Sequence, residues 1–123
     1  MSNQPGTILT ALHYLFSHKG AKTVAHCLDL DLVTSGDNLE QAEVRLNAVV
    51  LQQIAACYMS GNFEQLCFKA PGQYWNTLSS ARELERAHLE VEVPPVVLPV
   101  SRRVVSLPVY RHQALEALQA AQA

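Results

Sequence analysis

Ser35-Gly36-Asp37-Asn38-Leu39-Glu40 is the junction on which the fold turns. Gly36 permits a tight turn, Asp37 is a residue type that caps helices, and Glu40, three residues later, can reach back to the cap, so a helix is expected to open here. Beyond it Leu39, Ala42, Leu46, Val49, Val50, Ile54 and Cys57 recur mostly at spacings of three and four. That period sets one apolar stripe against a sheet until the helix stops near Gly61. Before it, Leu28-Asp29-Leu30-Asp31-Leu32-Val33-Thr34 alternates, which predicts a half-exposed strand with leucines on one face, aspartates on the other and a bend near Asp29.

Working outward, Lys22 to Leu28 reads as a strand with Thr23, Ala25 and Cys27 on one side and Val24, His26 and Leu28 on the other. Lys19-Gly20 turns the chain, and within Thr7 to His18 the segment Leu9 to Phe16 carries apolar residues on both parities, which suits a well-buried strand, with a short helix as the alternative. On the far side, Phe63 to Phe68 fits a helical turn or a strand. Pro71 fits a first helical turn, and Leu78, Ala81 and Leu84 suggest a second helix among charged neighbours. Pro94, Pro95 and Pro99 among valines allow only an edge strand or an arm. Arg102 to Tyr110 reads as extended, interrupted by Pro108, and His112 to Ala123 as a short terminal helix. The expected fold class is therefore α+β, an antiparallel sheet of three to four strands with a long helix on one face, a second helix and an extended C-terminal arm. Residues 1–100 form the α+β domain, and 101–123 the arm and short helix, part of the same domain or of a dimer interface.

The chain of 123 residues is 49% hydrophobic and 16% charged, enough for one core without a covalent staple. Its three cysteines, Cys27, Cys57 and Cys67, contain no CxxC pair and suit reduced thiols in a cytoplasmic protein. A net charge of −2 excludes a surface that coats nucleic acid or anionic membrane throughout. The polar start lacks the apolar run of a signal peptide, and no stretch is long enough to span a bilayer, so an untargeted protein without membrane attachment is expected.

Asp29-Leu30-Asp31-Leu32-Val33-Thr34-Ser35-Gly36-Asp37-Asn38-Leu39-Glu40-Gln41-Ala42 resembles the HicB antitoxin-like family. Its members carry an Asp-Leu turn, a short strand leading to Gly-Asp, and a helix opening with Leu-Glu-x-Ala. The family's turn usually reads Pro-Asp-Leu-Pro-Gly-Cys, whereas here Leu28 and Asp31 stand in place of the prolines and Leu32 in place of the glycine. No complete C-terminal DNA-binding module is evident. The resemblance implies a partial ferredoxin- or RNase-H-like sheet with no catalytic centre. It also implies a small HicA-like mRNA-cleaving toxin as partner, or a solitary regulatory descendant with none.

The residues themselves support no enzyme. His26, Cys27, Asp29 and Asp31 are of metal-ligand type, but along a strand Cys27, Asp29 and Asp31 share a face that His26 does not, and no second cluster converges on them. Core cysteine and solvated turn aspartates are the plainer reading, and the same geometry rejects a Cys27–His26 nucleophilic pair. His13, His18, His88 and His112 are scattered, and no nucleotide, zinc-protease or hydrolase motif is present. No catalytic residue, metal or cofactor is expected.

Charge is uneven. Residues 101–123 carry three arginines against one glutamate, while 1–62 and 63–100 each carry three basic and five acidic side chains. Arg102, Arg103 and Arg111 are thus the candidate nucleic-acid contacts of a dimeric operator-binding alternative, in which residues 102–108 open like a ribbon-helix-helix. The plainer reading makes this segment a final edge strand and helix. Trp75, Val104, Val105 and Leu107 are candidate interface residues, since aromatic and exposed apolar side chains anchor contacts, although core packing suits Trp75 as well. Exposed sheet edges favour a homo-oligomer.

Overall fold

The computed structural model describes residues 10–60, 69–93 and 103–115. The elements run β1 (Leu12–Lys19), β2 (Lys22–Cys27), β3 (Leu32–Gly36), α1 (Leu39–Ser60), α2 (Gly72–Ser79), β4 (Arg82–Glu83), β5 (Ala87–Val93) and β6 (Arg103–Gln113). Arg102, Cys67, the stretch 63–68, the three prolines at 94, 95 and 99 and the terminal helix beyond 115 lie outside the described residues, as does the Arg103 side chain.

β1, β2 and β3 form the expected antiparallel meander. Lys19 pairs with Lys22, so Gly20-Ala21 is a two-residue turn, and the positive φ of 64° at Gly20 is the backbone that type II′ hairpins place at their first central residue. α1 lies on one sheet face, and its buried residues Ala42, Leu46, Val50, Ile54 and Cys57 are the stripe read from the sequence. They meet Leu12, Tyr14 and Phe16 of β1, Ala25 and Cys27 of β2, Leu89 and Val91 of β5, and Leu107 and Val109 of β6 in one core. The opposite parity faces the shorter α2, where Leu15, Leu28, Ala70 and Ala114 are covered by Tyr74, Trp75, Leu78 and Ala81. The class is α+β, with a long helix packed on the sheet.

The sheet is larger than the expected three to four strands and is mixed. Its order is β3-β2-β1-β6-β4, with β5 also paired to β6. β6 runs parallel to β1 over Val109–Gln113 and antiparallel to β5 over Arg103–Val109. The segment expected as an arm or edge strand is thus an interior strand, and His112 and Gln113, expected to begin a helix, continue it. Pro108 is tolerated because β1 begins to pair only at Val109, so the missing N–H falls at the junction of two ladders. α2 ends at Ser79 rather than running on through Leu84, and the charged residues after it turn into β4.

The cap of α1 is displaced by one residue from the expected Asp37/Glu40 box. Asn38 Oδ1 accepts from Gln41 N–H at 2.8 Å, and Gln41 Oε1 accepts from Asp37 N–H at 2.7 Å. Asp37 is engaged instead by Lys22, whose hydrogen bond holds its exposed carboxyl below the usual range. Gly36 is required sterically, since a Cβ there would stand 2.7 Å from Ala42 N.

Candidate functional site

The sheet face under α2 gathers the groups with chemical potential. β2 ends at Cys27 and a turn carries the chain through residues 28–31, so strand parity is broken there: Asp29 stays near the Cys27 thiol, with Oδ1 4.0 Å from Sγ, while Asp31 turns to His26. Asp31 takes a positive φ of 53°, a backbone Asp adopts more readily than most residues, and its Oδ1 accepts from His26 Nε2–H at 2.7 Å. Asp29 turns back to β1, where its Oδ2 accepts from His13 Nδ1–H at 3.0 Å while Oδ1 accepts the His13 backbone N–H. A carboxylate can only accept, so each histidine's tautomer is fixed by its partner. Asp29 is buried rather than the solvated turn residue expected.

Aromatic rings hold both imidazoles. His13 stacks on Tyr110 and meets the edge of Trp75, each at 5.4 Å between centroids, and His26 meets Tyr74 at 4.8 Å. Trp75 donates its indole N–H to the Ala70 carbonyl at 3.1 Å and is half-buried, so it serves the packing of α2 as much as any interface.

Two clefts flank α2. The larger, about 550 Å³, lies over β2 and β3, with Leu15, Val24, Val33, Pro71 and Tyr74 as apolar walls and the His26–Asp31 pair in its lining. The second, about 450 Å³, is lined by His13, Ser79, Glu83, Tyr110 and His112, and the buried Nδ1 of His112 has no hydrogen-bond partner. Among the described residues no three His, Cys, Asp or Glu side chains are placed to hold a metal ion.

Cys27 is fully buried, and its thiol is pushed up to about 12, first by burial and then by the neighbouring Asp29 carboxylate. It stays protonated at neutral pH, and the thiolate is the nucleophile, so this cysteine is inert.

The candidate residues from the sequence fare unequally. Arg111 is not free for phosphate. Its Nε and Nη2 donate to the two Glu43 carboxylate oxygens at 2.7 and 2.9 Å, its Nη1 donates to the Glu85 carbonyl at 2.8 Å, and both ion-pair partners are largely buried. Leu107 is a core residue rather than an interface residue. Val104 and Val105 are exposed, and Arg103 contributes its backbone to the pairing with Val93. Sequence reasoning missed the two histidine–aspartate pairs and the position of Val33 beside the larger cleft. The strand parity of His13, Leu15, Val24, His26 and Leu28 was the available signal, but the turn that sends each aspartate to its histidine had no signature of its own. Comparison with family models, curated proteins and solved structures finds no match for this chain.

Proposed function

We propose that the chain is a non-catalytic protein-interaction domain of the HicB-like kind, which neutralises a small mRNA-cleaving toxin or acts as a solitary regulatory relative of such antitoxins. The observation that carries this reading is the outer strand β3, which forms part of the segment that resembles the family. It pairs only with β2 among the described residues, and its Val33 is 58% exposed beside an open cleft. An unpaired strand edge next to an apolar groove is the arrangement by which sheets accept a partner's strand. The operator-binding alternative loses Arg111 to Glu43. No helix among the described residues is long and apolar enough to cross a membrane, and the reduced thiols suit a cytoplasmic setting.

The test is recovery of binding partners from native lysate on the tagged full-length chain, followed by an RNA-cleavage assay of any small protein retained. A ribonuclease whose cleavage stops at one equivalent of the chain is the expected result for the antitoxin form. Retention of duplex DNA alone, lost when Arg102 and Arg103 are replaced by Ala, would overturn the reading in favour of an operator-binding regulator.

A further inference from the structure

Three features lie together at the β3 edge. The first is the edge of β3 over Leu32–Thr34, which is unpaired among the described residues. The second is the 550 Å³ cleft that opens beside it between α2 and the outer strands, a volume able to take two or three side chains. The third is charge. Asp31 precedes the strand and lines the cleft, with its side chain 32% exposed and only one carboxylate oxygen engaged by His26. Asp37 follows the strand and is 70% exposed. Among the described residues no Lys or Arg lines the cleft, and Lys22 is engaged by Asp37 and Arg45 by the Ser35 carbonyl at 2.8 Å.

We infer that the β3 edge and this cleft receive an extended segment of a basic partner protein, which bonds to the outward N–H and C=O of Val33 and places an aliphatic side chain against Val24, Val33 and Tyr74 and a cationic one at Asp31. The inference rests on the interaction-domain reading and names the partner's chemistry. A second copy of this chain fits poorly. A two-fold antiparallel pairing centred on Val33, the middle of the open stretch, sets Asp31 of one copy opposite Ser35 of the other, so neither Asp31 carboxylate meets a cation. A basic segment instead meets the Asp31 carboxylate, one oxygen of which is not engaged by His26. Arg45, held on the Ser35 carbonyl, limits the open edge to its first three residues and so fixes the register.

The probe is an end-blocked octapeptide of alternating Val and Lys, titrated into the isotope-labelled full chain, with the Val/Glu octapeptide as control. The expected result is amide shifts over Leu32–Thr34 with new exchange protection at Val33, accompanying shifts at His26 and Tyr74, and binding at least tenfold tighter than the Val/Glu peptide. Asp31→Asn should weaken the Val/Lys peptide at least tenfold without disturbing the fold, because Asn tolerates the same positive φ and still accepts from His26. Val33→Lys, at an exposed site, should abolish binding. Equal binding of the two peptides, or shifts centred elsewhere, overturns the inference. A natural protein partner that binds the Val33→Lys chain as well as the wild type also overturns this site while leaving the interaction reading intact. If the wild-type chain captures only duplex DNA, it is the interaction reading that falls.

Discussion

Cys27 and Asp29 stand two positions apart, and the consequences of that spacing depend on burial. In water a thiol beside a carboxylate is little changed, whereas in the core both effects disfavour the thiolate. The sign for stability follows. An unfolded chain releases the Cys27 proton near the ordinary value of 9.0, while the folded chain holds it to about 12. Within that window the unfolded state binds fewer protons, so the contribution is complete below pH 9 and is lost as pH rises toward the folded value. Tyr14 acts in the same direction above its ordinary 10.0, since burial, then Cys27, Glu43 and Asp29, raise its phenol. The urea midpoint of the wild type should fall between pH 8 and 10.5, and that of Cys27→Ala should start lower and fall less over the lower part of this range. Parallel curves for the two proteins would show that Cys27 is accessible in the native state. Iodoacetamide at pH 8 should likewise leave Cys27 and Cys57, both buried, unmodified in the folded chain.

The junction of β3 with α1 and the bond between α1 and β6 tie the elements together by different means. At the first, the hydrogen of Gly36 is the only substituent that fits against the backbone of the helix's first turn, with Ala42 N and Gln41 Cβ at 2.7 and 3.0 Å from an added Cβ. Gly36→Ala should cost about 1–3 kcal/mol of unfolding free energy, the usual range for overpacking, with the loss visible as earlier exchange of the amides at both element ends. At the second, the Arg111–Glu43 fork spans the core beside Phe16, whose ring lies 5.7 Å from the guanidinium. Arg111→Ala strands a largely buried carboxylate, and should lower stability by about 3 kcal/mol. Much of this should return in the double variant with Glu43→Gln, since the penalty is chiefly an uncompensated charge. An additive cycle would show that the pair is solvated. The helix stripe and the β1–β2 hairpin were legible because a period of three to four and a Gly turn are local signals. The cap was misplaced by one residue because Asp37, Asn38, Glu40 and Gln41 offer two overlapping boxes, and only the position of Lys22 on a neighbouring strand decides between them. The Arg111–Glu43 bond joins residues sixty-eight positions apart and left no trace in the local pattern.

At the level of the whole molecule the decisive feature is the return of the chain to β1. After two helices and two short strands, β6 enters parallel to β1 and supplies an interior strand to a sheet whose first half was complete as a meander. Periodicity could not reveal this. Pro108 and the preceding prolines read as an edge, and the preference for an arm followed from them, yet a strand with different partners along its two halves can accept a proline where the partners change. The candidate site inherits the same difficulty: the His13 cleft needs Tyr110 and His112 of β6, and the groove at β3 needs Pro71, Gln73, Tyr74 and Thr77, about forty positions beyond the strand they face. The two views of the C-terminal segment make opposite forecasts for a chain ended at Pro99. An arm could be removed with the body intact. An interior strand cannot, because its loss leaves β1 unpaired on one side, removes the described partner of β4 and β5, and strips Leu107, Val109 and Ala114 from the two apolar layers. Burying these three side chains contributes several kcal/mol by area, comparable to the whole stability of a domain this size. The truncated chain should therefore show no cooperative thermal transition, bind a hydrophobic dye and lose the near-ultraviolet signal of Trp75. A sharp transition near the wild-type midpoint would mean that residues beyond Pro99 are dispensable, and would require a different partner strand for β5.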